Sequence, residues 1–116
     1  MAITRKMSLQ LRERDPYCVH CGADTELQVH HRQNRGMGGR PKNSLDKFDN
    51  LIRVCSWLNY AMEQDPAVAR EAREKGWKLG QWENYETPVY DRMQDAWFIL
   101  TPKGDKVQVE EPTTLF

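Results

Sequence analysis

Two adjacent histidines, His30 and His31, stand where a short apolar run gives way to a basic, glycine-rich one. The apolar side, residues 26–29, has the length of a short strand. The other side, residues 32–42, contains RGMGGR at Arg35 to Arg40. Gly36, Gly38 and Gly39 make it a loop whose backbone can come close to a phosphate. Asp49-Asn50-Leu51-Ile52-Arg53-Val54-Cys55 follows, with Asn59 four residues after Cys55. The order reads as strand, loop, strand and helix with the histidines at the first strand's exit. Adjacent histidines leaving a strand can share the chemistry of hydrolysis, with one ring holding a metal and the other taking a proton from water.

At 116 residues and 39% hydrophobic content the chain is most simply one domain with a thin core. A protein of this size can lean on a structural metal or on dimerisation. No apolar run approaches the roughly 18 to 20 residues of a bilayer-spanning helix. The start lacks an apolar signal core, so a cytoplasmic protein is expected, in the host cytoplasm if phage-encoded. The net charge is zero, which argues against a general nucleic-acid coat. Its distribution is uneven, with 10 basic against 6 acidic residues over 1–58 and 7 against 11 over 59–116. Between residues 27 and 45 lie Arg32, Arg35, Arg40 and Lys42 and no acid, a local phosphate-attracting patch.

Along the chain, residues 4–14 carry Met7 and Leu11 at helical spacing and stop at Asp15-Pro16, because the residue before proline leaves the helical region. Residues 51–54 are apolar apart from Arg53 and read as a second short strand. A helix over 57–64 presents Trp57, Leu58, Ala61 and Met62 as its inner face. Asp65-Pro66 caps another helix over 67–75, ended by Gly76. There Arg70 with Glu74 and Glu71 with Lys75 stand at i, i+4 as a solvated face. Trp77, Leu79, Trp82 and Tyr85 read as core packing. Pro88-Val89-Tyr90 reads as extended, and residues 97–109 as a β-hairpin turning at 102–105. The tail from 110 reads as loose.

Cys18-x-x-Cys21 followed by Gly22 is a knuckle able to grip one tetrahedral Zn²⁺, and Cys55 offers a third thiolate. A reducing compartment fits three cysteines in this pattern better than disulfides do. A second Cys-x-x-Cys would put its last ligand at position 58, which is Leu58. The zinc site is therefore incomplete, completed by another residue such as His20, or replaced by three buried thiols packed as small apolar side chains.

Taken together, Cys-x-x-Cys, a strand, His-His, a loop, Asn-Leu-Ile, a cysteine and a ligand-bearing helix resemble the HNH endonuclease family. The likeness is to its small phage and bacterial members and covers residues 17–63. The segments VHHR, RGMGG, GWKLGQW and Pro88-Val89 extend it along the chain. The resemblance implies an α+β fold: a ββα-metal core over 17–64, flanking helices and a C-terminal hairpin extension over 65–110, all in one domain. It implies His31 as the general base and His30 as a ligand of the catalytic ion. Asn50 would be the central asparagine that ties the loop and holds the base. Asn59 stands where most members have histidine, and asparagine is an accepted variant there. Glu63, one turn after Asn59, can add a carboxylate to the same ion. An amide oxygen is a harder ligand than imidazole and favours Mg²⁺ or Mn²⁺ there.

The expectation is thus a divalent-metal-dependent endonuclease that hydrolyses DNA phosphodiester bonds. Arg32, Arg35, Arg40 and Lys42 would contact phosphates, which position without reading sequence. A homodimer and phage packaging proteins are the further candidate partners. Two other classes compete: a non-catalytic nucleic-acid-binding or packaging module on the same scaffold, and a zinc-knuckle adaptor that binds protein.

Overall fold

The computed structural model describes residues 3–34, 45–80 and 83–112. Among them the fold is mixed α+β, with three helices and two small antiparallel sheets. No described helix is long and apolar enough to cross a membrane.

Helix α1 (Arg5–Arg14) starts at Thr4, whose hydroxyl accepts the Met7 N–H at 3.1 Å. Arg12 and Arg14 in its last turn suit the negative end of the helix dipole. Arg14 is buried and grips the Asp15 carboxylate in a two-point fork at 3.0 and 2.7 Å. Its guanidinium also donates to the carbonyls of Phe48 and Leu51, which ties α1 to the entry of the second strand.

Strands β1 (Leu27–His31) and β2 (Leu51–Cys55) form the first sheet, antiparallel, with His30 opposite Ile52 and His31 opposite Leu51. Helix α2 (Ser56–Gln64) follows β2 directly and packs on both strands. Leu58, Ala61 and Met62 are its buried face. Trp57, expected on that face, is 55% exposed and lies outside with its ring against His20. At about 100° per residue Trp57 stands only about 40° from Ala61, at the edge of that stripe, and on the first residues of the helix its ring is left outside.

Helix α3 (Pro66–Glu74) is capped by Asp65, whose carboxylate accepts the Ala67 N–H at 2.9 Å, with proline in the first turn. It ends at Gly76 with φ +77°, where a β-carbon would lie 1.9 Å from the Pro88 carbonyl. Glu71 bonds Arg92 across the fold, and the Lys75 ammonium sits 4.7 Å over the Tyr90 ring. Both residues of the expected i, i+4 pair thus serve tertiary contacts.

The second sheet joins β3 (Val89–Asp91), β4 (Ala96–Leu100) and β5 (Lys106–Val109) as an antiparallel meander. The expected hairpin therefore has a third strand, because Asp91 closes the turn from β3 to β4. Its carboxylate accepts the N–H groups of Met93 and Gln94 and the Tyr17 hydroxyl. One core unites both sheets: Cys18, Val19, Ile52, Val54, Leu58, Met62, Ala72, Trp77, Val89 and Leu100. Trp77 is fully buried there and donates its indole N–H to the Tyr90 carbonyl at 2.8 Å.

Candidate functional site

Val29, His30, His31, Asn34, Asn59 and Glu63 line one shallow cavity of about 280 Å³ between β1 and α2. His30 and His31 arrive from the end of β1, and Asn59 and Glu63 from successive turns of α2.

His30 is held by the carbonyl of Trp77, 2.9 Å from its Nε2. A carbonyl only accepts, so Nε2 carries the proton and Nδ1 keeps its lone pair. Burial holds this imidazole neutral and pulls its pKa down to about 4. The Asn59 carboxamide lies against the same ring and donates to Gln28 Oε1 at 2.7 Å. Glu63 is exposed, and its carboxylate is engaged by Lys78 at 3.0 Å.

His31 is the more open of the pair, with its side chain 34% exposed. Its Nε2 lies 2.5 Å from Oδ1 of Asp46, whose side chain is buried. With Asp46 ionised, Nε2–H donates and the tautomer is fixed, which leaves Nδ1 as the acceptor. Asp46 is not marked out by any sequence motif, and Lys78 lies in the GWKLGQW segment without being singled out there. The one hint for Asp46 is that it is the first acid after the histidine pair.

Asn50 is wholly buried. Its Oδ1 accepts the Gln33 N–H at 2.9 Å, and its Nδ2 donates to the carbonyls of Gln33 and Leu45 at 3.0 and 2.9 Å. Its own carbonyl accepts the Arg32 N–H at 2.8 Å. Both ends of the segment that leaves His31 and returns to Asp46 are thereby pinned to one side chain. Asn50 does not line the cavity; its side chain bonds the backbone of residues 33 and 45 beside it.

Arg32, expected on phosphates, is 1% exposed. Its guanidinium donates to the carbonyls of Gly76, Asp49 and Tyr85 at 2.8, 2.9 and 3.2 Å, and also to Thr87. The side chain is consumed inside the fold, against the expectation that it faces a phosphate. Arg35, Arg40 and Lys42 lie outside the described residues, as do Gly36, Gly38, Gly39, Trp82 and the last residues of the tail.

The sulfurs of Cys18, Cys21 and Cys55 lie within 4.8 Å of one another and can bind a metal. Among the described residues no other three His, Cys, Asp or Glu donors are gathered so closely. His30, His31 and Glu63 therefore share a cavity wall without forming a tight ligand cluster. His20 does not complete the cysteine trio. Its ring stacks near Trp57 and Trp77, at centroid distances of 5.4 and 5.6 Å. Desolvation lowers its pKa. Leu58, at the fourth position of the pattern, is fully buried.

Comparison with protein-family models, with curated proteins and with solved structures gives no match.

The burial of His30 has a measurable consequence. Its folded pKa of about 4 lies below the ordinary histidine value, so the unfolded chain takes up the proton first as pH falls. Stability from this group is complete above about pH 6.5 and is lost as pH falls toward 4, by about 3 kcal/mol. Urea unfolding across that range, without added divalent ions, should show this loss. The slope should flatten in His30→Asn.

Proposed function

We propose that the chain is a divalent-metal-dependent DNA endonuclease of the HNH type, with β1, β2 and α2 as its ββα-metal core. The observation that carries this reading is the His31–Asp46 pair at 2.5 Å beside a cavity walled by His30, Asn59 and Glu63. A general base needs a fixed tautomer, a free nitrogen and access to water. His31 has all three, because Asp46 occupies Nε2 and the ring is partly open.

The remaining donors fit a cation that keeps most of its water. Nδ1 of His30, the Asn59 amide and the Glu63 carboxylate are few, mostly hard, and loosely spaced. That suits Mg²⁺ or Mn²⁺, which are commonly bound through one or two protein groups plus substrate phosphate oxygens. Such an ion would stabilise charge on the phosphoryl oxygens and the leaving group. Glu63 would have to release Lys78 to join it. Nδ1 of His31 accepts the proton of the attacking water, and Asp46 stabilises the imidazolium that results. Phosphate contacts fall to Arg35, Arg40 and Lys42 without Arg32, and DNA binding should weaken as salt rises. The cysteine trio would hold a thiophilic ion such as Zn²⁺ beside β2 and α2.

The test is relaxation of supercoiled plasmid by the purified protein. Nicking with Mg²⁺ or Mn²⁺, lost on adding EDTA and restored by excess ion, is the expected result. DNA binding that persists in EDTA, without cleavage under any divalent ion, would replace the enzyme with a binding module on this scaffold. The Lys78–Glu63 contact is the one feature that favours that second reading.

A further inference from the structure

Two of the three cysteine sulfurs also receive a backbone hydrogen bond: His20 N–H reaches Cys18 Sγ at 3.4 Å and Leu58 N–H reaches Cys55 Sγ at 3.3 Å. Such donors stabilise negative charge on sulfur and orient it, as the outer groups around metal ligands commonly do. The knuckle itself is closed by Gly22 N–H to the Cys18 carbonyl and Cys18 N–H to the Ala23 carbonyl, both 2.8 Å. The sulfurs are spaced for one ion, since tetrahedral Zn²⁺ holds thiolates about 2.3 Å from itself.

Three thiolates leave a tetrahedral ion one ligand short. Among the described residues no fourth His, Cys, Asp or Glu donor stands beside the sulfurs. Leu58 stands at the fourth position and puts an apolar side chain into the core. His20 turns its ring to the two tryptophans, and its Nδ1 is buried without a hydrogen-bond partner. Cys21 is exposed, so the trio borders solvent. Closed four-ligand spheres mark structural zinc, and three protein ligands with an open position mark zinc that binds something further.

We propose that Cys18, Cys21 and Cys55 hold a thiophilic divalent ion with an open fourth position, occupied by water and exchangeable for a small thiol. This rests on the metal reading of the trio and is independent of the nuclease reading. The exchange is a ligand substitution. The incoming thiol loses its proton, its sulfur bonds the ion, and a water leaves; nothing is oxidised or reduced. A soft fourth donor is favoured because the other three are soft.

X-ray absorption of the zinc-loaded protein, with visible spectra of the Co²⁺-loaded protein, tests the proposal. The expected wild-type sphere is three sulfurs and one oxygen. Added 2-mercaptoethanol should convert it to four sulfurs and strengthen the sulfur-to-cobalt charge-transfer band. Leu58→Cys should show four sulfurs from the start and no response to the thiol, while His20→Ala should behave as wild type. A wild-type sphere of four sulfurs would overturn the proposal. So would a nitrogen that disappears in His20→Ala, or indifference to the thiol. Failure to take up either ion would overturn the metal reading itself, and this proposal with it, while leaving plasmid nicking to be judged separately. Should Leu58→Cys not fold, the wild-type sphere and its thiol titration still decide.

Discussion

Replacing His31 with alanine is expected to slow divalent-dependent plasmid nicking by about 10²- to 10⁴-fold, the range a positioned general base supplies. Stability to thermal unfolding should fall by only a modest amount, about 1–3 kcal/mol from the buried Asp46 carboxylate that loses its partner, because the ring itself is partly exposed. Asp46→Asn separates the base from the residue that aims it. The carboxylate can only accept, which forces the Nε2–H tautomer. An amide can also donate, and it permits the other tautomer with Nδ1 protonated and useless as a base. A large fall in kcat with KM nearly unchanged is expected. The imidazole ¹⁵N shifts of His31 should report loss of the single tautomer. If His31→Ala nicks DNA as fast as wild type, the mechanism is wrong, whatever binds in the cavity.

Arg32→Ala should produce the largest loss of stability of any single change described for this chain. Burial lowers the pKa of its guanidinium to about 10, still charged at neutral pH. The compensation comes from four backbone carbonyls, those of Asp49, Gly76, Tyr85 and Thr87, with no carboxylate on the guanidinium. Truncation leaves a cavity and orphans these acceptors, each costing about 1–3 kcal/mol when buried and unpaired. A loss of about 4 kcal/mol or more is expected, against the roughly 5–15 kcal/mol that typically holds a domain together. Arg32→Lys should rescue little, since one ammonium cannot span the positions a planar fork reaches. Urea denaturation gives the midpoint and slope directly. Unchanged stability with weaker, less salt-sensitive DNA binding would restore Arg32 to the phosphate-contact role that composition alone suggests.

Arg32 and Asp46 show the two ways in which local reading falls short. A basic residue amid other basic residues reads as part of a patch, because charge counting sees only chain neighbours. Its carbonyl partners come from positions up to Thr87, and nothing in the sequence marks a carbonyl as unpaired. Asp46 lies fifteen residues from His31, and Asn50 pins residues 33 and 45 of the intervening stretch to one side chain. The contact exists because that pinning brings residues 33 and 45 to the same side chain. Trp57 illustrates the reverse error, in which a large apolar residue at the edge of a correct helical stripe is assigned to the stripe although the fold leaves it exposed.

The sequence by itself determined the helices, the strands and their order. Capping residues, proline and glycine stops and apolar spacing all act between residues near in the chain. It also determined the three thiols that can bind a metal, through the knuckle spacing and Cys55. Tertiary structure alone decided that Arg32 braces the interior, that Asp46 meets His31, that His20 lies against the tryptophans, and that the extended segment at Val89 pairs with the hairpin. Each of these depends on where a distant backbone group or side chain comes to rest. Burial then decides which polar atoms must find a partner there.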